Sequence, residues 1–186
     1  MDASLLVAAP AAAAVSLAAI LGADPGAPVE VITAPLLESS DCITLVQWLD
    51  AEFAASPQAD VDLRRTITPS ALLAFIGHDA LHRLEAAFAA PYDLIKVRRV
   101  CAVGCAVAFH TDTHSLRTMH VALNNDTEYE GGRLVCVTKA GFEIAERPLG
   151  TATIHSHRFS PIFGFLACLL QQLPFLLKTA SFFLSR

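Results

Sequence analysis

The apolar positions in the first half of the chain follow the period of α-helices. Between residues 40 and 90 they recur at intervals of three and four, which places them on one face of a helix. The first helix carries a single apolar stripe made of Cys42, Leu45, Val46, Leu49 and Phe53. A second helix begins at Thr68-Pro69 and ends at Gly77. A third begins at Asp79 and has an inner face of Leu81, Leu84 and Phe88.

From Tyr92 onward the apolar period changes to that of β-strands. Apolar and polar residues alternate, or β-formers cluster, in runs at 94–99, 104–110, 118–124, 132–138, 142–147 and 150–157. Shorter strands are predicted at Val29–Thr33 and Val61–Thr66. Short strands at about ten-residue spacing favour an antiparallel jelly roll or barrel. We therefore predict an α+β fold with the helices packed outside the sheet.

Composition changes this picture at both ends of the chain. Hydrophobic residues make up 54% of the 186 residues, and the excess lies in residues 3–22 and 159–186. We divide the chain into an Ala-rich extension and linker (1–28), a folded domain (29–158) and an apolar, divergent tail (159–186). The formal net charge of −5 provides no basic surface for nucleic acid.

Neither apolar end is typical of an export or membrane segment. Residues 3–22 follow Asp2 and precede the first basic residue, Arg64, so a signal or targeting peptide is disfavoured and the cytoplasm is the default location. The unbroken apolar run of the tail, Ile162–Leu170, is far shorter than the ~20 residues that span a bilayer. The five cysteines show no CxxC or framework spacing, which disfavours a disulfide scaffold or a zinc site.

One short motif in the strand region has the composition of a metal site. In Phe109-His110-Thr111-Asp112 the imidazole and the carboxylate are two residues apart, so on an extended segment they point to the same side. Such a pair can supply two members of the 2-His-1-carboxylate triad that binds non-haem iron(II). Taken alone, the motif is common on protein surfaces.

The surrounding blocks give this motif a context. The chain resembles the prolyl 4-hydroxylase-like iron(II)/2-oxoglutarate dioxygenases over residues 29–158, in the order and spacing of several segments. These segments are Ile95–Arg99, Phe109–Asp112, Arg117–Asn124, Tyr129–Val135 and Glu146–His155.

The resemblance implies N-terminal support helices packed on a double-stranded β-helix whose mouth binds iron(II). By matching position, His110 and Asp112 are the first two iron ligands, and no further catalytic or cofactor-binding residue is assigned. The resemblance also implies 2-oxoglutarate and O2 as co-substrates and a dependence on L-ascorbate. Hydroxylation of a protein or small-molecule substrate, with release of succinate and CO2, is the expected activity.

After Arg158 the sequence departs from the family pattern. Pro161 stands where the distal iron-binding His is expected, and no block matches the Arg that binds 2-oxoglutarate. His155 and His157 share strand parity with this position, but at ~3.3 Å per residue His157 lies about 13 Å short of it. We expect the last two strands of the β-helix to be missing. An alternative exon, a retained intron or a frameshift is our hypothesis for the tail.

Three interpretations follow from these residues. The chain is a working dioxygenase, a catalytically defective truncated isoform that lacks the distal His and the Arg, or an unrelated jelly-roll binding module with an accidental HxD. Arg117 is a possible anion partner or an ordinary surface residue. His120 is expected to be a packed or exposed strand residue rather than a ligand.

Overall fold

The computed structural model describes residues 30–55, 62–101, 115–125, 127–128, 133–138, 141–156, 163–166 and 178–185. These residues form two helices, α1 (Ser39–Ala54) and α2 (Pro69–Phe88). They also form nine strands: β1 (Glu30–Ile32), β2 (Asp62–Ile67), β3 (Leu94–Cys101), β4 (Arg117–Ala122), β5 (Arg133–Thr138), β6 (Gly141–Ile144), β7 (Ala152–Ser156), β8 (Phe163–Leu166) and β9 (Lys178–Ser185).

Local sequence signals set the start of α2 and the break within it. The Thr68 hydroxyl accepts a hydrogen bond from the amide of Ala71 at 3.1 Å, which satisfies one of the free N–H groups at the helix start. Gly77 has φ 74° and ψ 174°, a conformation open essentially to glycine alone, and it interrupts the helix. The predicted end of one helix at Gly77 and start of the next at Asp79 are thus confirmed as a kink within α2.

The strands form two antiparallel sheets. The larger has six strands in the order β1-β7-β4-β9-β3-β2, and the smaller has three in the order β6-β5-β8. Strand β9 lies between β3 and β4, with Ser181 opposite Arg98 and Phe183 opposite His120. On its other side, β4 pairs with β7 in a register that places His120 opposite Thr153.

One face of the six-stranded sheet packs against both helices and forms an apolar core. The sheet contributes Ile95, Val97, Met119, Val121 and Ile154. The helices contribute Leu45, Leu49, Leu72, Leu84 and Phe88. Each fully buried side chain of this size stabilises the fold by about 1.5–3 kcal/mol relative to exposure. The predicted α+β class, with helices and antiparallel sheets, is confirmed.

The prediction that the last two strands are missing is wrong, because the backbone of the tail forms two strands. Within the tail, β8 pairs with β5, and β9 is inserted between β3 and β4. An interior strand satisfies the N–H and C=O groups of two neighbours, and each such group left unpaired in the interior costs about 1–3 kcal/mol. The tail therefore supplies backbone pairing to both sheets.

A turn before β7 holds that strand against the chain that leads into α1. The Gly150 carbonyl accepts hydrogen bonds from the amides of Leu36 and Leu37 at 2.8 and 3.3 Å, and its own amide donates to the carbonyl of Ala122 at 2.8 Å. Gly150 has φ 76°, and a Cβ atom there would collide with the carbonyl oxygen of Leu37. This close approach of two backbones requires glycine.

We predict that Gly150→Ala destabilises the fold more than Gly77→Ala. Both changes put a Cβ on a residue with positive φ, but nothing lies within 4 Å of a Cβ at Gly77. Gly77→Ala should cost about 1–3 kcal/mol of backbone strain, and the collision at Gly150 should add roughly 1–3 kcal/mol. Urea unfolding of both variants measures the difference, and equal losses would contradict the geometry.

The Cys42 thiol is buried between α1 and the sheet, with Sγ 3.9 Å from the carbonyl oxygen of Ala122. Burial, reinforced by the charge of Asp41, raises the pKa of this thiol from 9.0 to about 12. The thiol thus stays protonated in the folded chain at pH values where it ionises in the unfolded chain.

We predict that Cys42 lowers the stability of the fold in alkali. The free energy of unfolding should fall as the pH rises from 9.0 to about 12, with a slope of up to ~1.4 kcal/mol per pH unit. Below this window Cys42 contributes no pH dependence. In urea unfolding at several pH values, Cys42→Ala should remove the part of the slope that begins at pH 9.0. Tyr92→Phe should remove only a part that begins at pH 10.0, because burial also raises the pKa of Tyr92 from 10.0 to about 12. An unchanged slope in Cys42→Ala would refute the assignment.

Candidate functional site

The face of the six-stranded sheet turned away from the helices carries buried polar side chains. We call it the polar face, and define it by Arg98 of β3, Thr118 and His120 of β4, and Thr153 and His155 of β7. Their exposed fractions lie between 1% for Thr153 and 8% for Arg98. The residues between them point to the helices, since successive strand residues alternate in direction. Because buried polar groups are costly unless they are hydrogen-bonded, such a face is typical of a binding site rather than a packing core.

His120 and His155 meet at the centre of the polar face. They occupy diagonal positions on β4 and β7, since His120 lies opposite Thr153 and His155 lies opposite Thr118. Their Nε2 atoms are 3.1 Å apart, and their ring centroids are 5.2 Å apart with 25° between the ring planes. His120 is thus a packed strand residue, one of the two alternatives that the alternation predicted. Two imidazoles at this distance can share a hydrogen bond or bind a common ligand.

The two threonines beside the histidines differ in their hydrogen bonding. The Thr118 hydroxyl donates to Oγ of Ser115 at 2.8 Å, and Ser115 donates to the carbonyl of Arg117 at 2.8 Å. By contrast, Oγ1 of Thr153 is buried without a hydrogen-bond partner in the described part of the chain. A buried hydroxyl in this state costs about 1–3 kcal/mol. A polar ligand bound on this face could remove that cost.

Strands β3 and β4 carry three arginines near the site, and two of these contact residues on the helix side of the sheet. Nε of Arg99 is 2.6 Å from Oδ1 of Asp50 and so ties β3 to α1. Arg117 donates from Nε to the Phe88 carbonyl at 2.9 Å, at the C-terminal end of α2. Both guanidinium groups thus have structural contacts, and Arg117 does not face the site. Arg98 alternates with Arg99 and belongs to the polar face.

The predicted iron ligands His110 and Asp112 lie outside the described residues, as do His157 and Pro161. Their assignment remains a prediction. Among the described residues, no group of three or more His, Cys, Asp or Glu side chains could hold a metal ion. The two helices in those ranges also lack the combination of length and apolar character that crossing a membrane requires.

The contact between His120 and His155 was not predicted from the sequence. Its sequence signal is the presence of polar residues at alternate positions of two apolar strands, Thr118 and His120 in one, Thr153 and His155 in the other. That alternation places each pair on one side of its strand. It does not show that the two strands are neighbours, which depends on the sheet order.

Solved structures that resemble this chain include prolyl hydroxylases and a 2OG-Fe(II) oxygenase. A prolyl-4-hydroxylase from Pseudomonas putida superimposes with a TM-score of 0.57 at 13% identity, covering 95% of this chain and 98% of that one. A viral collagen prolyl hydroxylase from Paramecium Bursaria Chlorella virus-1 gives 0.57 at 13% identity, over 84% and 94%. The non-haem α-ketoglutarate-dependent epimerase SnoN from nogalamycin biosynthesis gives 0.53 at 15% identity, over 93% and 81%.

These similarities confirm the resemblance at the level of the fold. The described helices and antiparallel sheets have the jelly-roll architecture of the 2-oxoglutarate–iron(II) oxygenases. The low identities leave the activity of this chain to be argued from its residues. No protein-family model and no curated protein matches the sequence.

We predict that Thr153→Val does not destabilise the ligand-free chain. Valine is close in shape to threonine and removes the hydroxyl that has no partner in the described residues, so the free energy of unfolding should stay level or rise by about 1 kcal/mol. Thr118→Val is the matched comparison, because it removes a hydroxyl that donates to Ser115, and should lower stability by ~1 kcal/mol. Urea unfolding measures both. A larger loss in Thr153→Val than in Thr118→Val would show that the Thr153 hydroxyl is satisfied.

Proposed function

We propose that this chain is a non-haem iron(II)/2-oxoglutarate-dependent dioxygenase of the prolyl 4-hydroxylase-like type. It would hydroxylate a protein or small-molecule substrate and release succinate and CO2. The observation that carries this proposal is a buried polar face on the main sheet of a fold shared with prolyl hydroxylases. The ordered sequence blocks around His110 and Asp112 add independent support.

The residue types available fit an iron(II) ion and a dicarboxylate co-substrate in two respects. His110 and Asp112 offer an imidazole and a carboxylate, the ligand types of non-haem iron(II) sites. On the polar face, the Thr153 hydroxyl lacks a partner in the described residues, and the Arg98 guanidinium is buried. Hydroxyl and guanidinium groups are hydrogen-bond donors that suit carboxylates.

Each part of the chain then has a separate role. When bound, iron(II) would supply the redox chemistry by which one oxygen atom of O2 enters succinate as 2-oxoglutarate loses CO2 and the other hydroxylates the substrate C–H bond, and L-ascorbate would keep the metal reduced. His110 and Asp112 hold the metal. Thr153 and Arg98 hold and orient the co-substrate by its carboxylates. The near-complete burial of the polar face excludes water, which strengthens these hydrogen bonds.

A second candidate is a catalytically defective dioxygenase with an intact backbone. It is favoured by Pro161 at the position expected for the distal iron-binding His, and by the lack of a block matching the 2-oxoglutarate Arg. Strands β8 and β9 complete the sheets without restoring these two side chains. This chain would then bind iron or 2-oxoglutarate weakly and would not convert 2-oxoglutarate to succinate.

Iron affinity tests the proposal at the predicted ligands. We expect His110→Ala and Asp112→Ala each to weaken iron(II) binding at least about tenfold, because each removes a direct ligand. His114→Ala is the control, since it removes a nearby imidazole outside the motif. Equal iron affinity in all four chains would refute both candidates.

Succinate formation then separates the two candidates. The unaltered chain is incubated with iron(II), ascorbate, O2 and 2-oxoglutarate, and succinate is measured. Formation that is lost in Asp112→Ala identifies a working dioxygenase. The defective form is identified if iron binding depends on His110 and Asp112 but no succinate forms, even when candidate substrates are present.

A further inference from the structure

The separation of the two buried imidazoles on the polar face matches that of two ligands on one metal ion. Imidazole nitrogens bind Zn²⁺ and similar ions at about 2.0–2.1 Å. Two such nitrogens at angles between octahedral and tetrahedral therefore lie roughly 2.8–3.4 Å apart. The observed distance between Nε2 of His120 and Nε2 of His155 is 3.1 Å.

The backbone holds the two rings in this position. His120 and His155 stand on adjacent antiparallel strands whose register is fixed by pairs on both sides of the diagonal. Their exposed fractions are 7% and 2%, so neighbouring atoms confine the rings. A pair of ligands fixed in advance binds a metal with little loss of conformational entropy.

The same distance has two explanations that differ in the position of a proton. In a hydrogen bond between neutral rings, one Nε2 is protonated and donates to the lone pair of the other, so the rings are opposite tautomers. On a metal ion, both Nε2 atoms present lone pairs and both rings carry the proton on Nδ1. Binding a metal thus changes one tautomer without moving the rings far.

We propose that His120 and His155 bind a divalent transition-metal ion through their two Nε2 atoms. Imidazole ligands suit Zn²⁺, Ni²⁺, Cu²⁺ and Fe²⁺ rather than Mg²⁺ or Ca²⁺, which select oxygen. A metal-bound water would give the Thr153 hydroxyl, opposite His120, the partner that it lacks in the described chain. This inference rests on the sheet geometry and does not depend on the proposed function.

The test is a Zn²⁺ titration in a chain from which other candidate ligands have been removed. The background carries His110→Ala and Asp112→Ala to remove the predicted iron ligands. It also carries His78→Ala, because His78 and His82 are exposed and one helical turn apart on α2 and could chelate zinc. Calorimetry in this background measures the affinity, and circular dichroism verifies the fold.

Two single changes are compared in this background. His120→Leu should weaken Zn²⁺ binding at least about tenfold, because it removes one imidazole of the pair. Thr118→Val is the control for a change of shape on the same face, and should keep the affinity within about threefold, because the Thr118 hydroxyl donates to Ser115 and not to either imidazole. Equal affinity in the background chain and in His120→Leu overturns the proposal.

A second measurement requires no substitution at the pair. In the unaltered chain labelled with ¹⁵N, Zn²⁺ should shift the Nε2 resonances of both His120 and His155 and leave both rings protonated on Nδ1. If the ¹⁵N resonances show that the two rings remain opposite tautomers in the presence of Zn²⁺, the two imidazoles share a hydrogen bond and the proposal fails. The test of the proposed function compares the iron affinity of His110→Ala and Asp112→Ala with that of the unaltered chain, whereas the zinc titration uses a chain that lacks both residues. Failure of this inference is therefore distinguishable from failure of the proposed function.

Discussion

The two-residue period of the β-strands is the constraint on which the rest of the structure depends. It places Met119, Val121 and Ile154 against the helices and leaves His120 and His155 on the opposite face of the same sheet. A slip of one residue in the pairing of β4 with β7 would exchange these two sets. It would bury imidazoles in the apolar core and leave the polar face without its central pair. Core stability and the candidate site therefore depend on one register.

Fold and chemistry are separable in this chain. Strands β8 and β9 pair within the sheets although the sequence around them departs from the dioxygenase pattern. Backbone pairing requires only a segment that can extend, because the hydrogen-bonding groups are common to all residues except proline. A metal site requires particular side chains at particular positions. A divergent tail can therefore preserve backbone pairing while it changes the side chains of a metal site. Pro161 is an example, because it stands where the distal iron-binding His is expected.

Much of the fold was predictable because its signals are local. The apolar stripe of α1, the Thr68 cap and the break at Gly77 each act within a few residues, and the structure follows them. The error over the missing strands arose in the tail. There the alternation of Ala180, Phe182 and Leu184 with Thr179 and Ser181 was a strand signal, outweighed by the irregular run before it. The pairing of His120 with His155 depends on which strands are neighbours, a non-local property that no window of sequence contains.

The interior position of β9 has a consequence for how the chain reaches its folded state. Its two neighbours, β3 and β4, precede it by a large part of the sequence, so the main sheet stays divided until the last strand arrives. Pairing between such distant segments is slow, because loop entropy is lost before any contact forms. Until then β3 and β4 each present a free edge that another chain can occupy. Until β9 pairs with both strands, self-association at these edges therefore competes with folding.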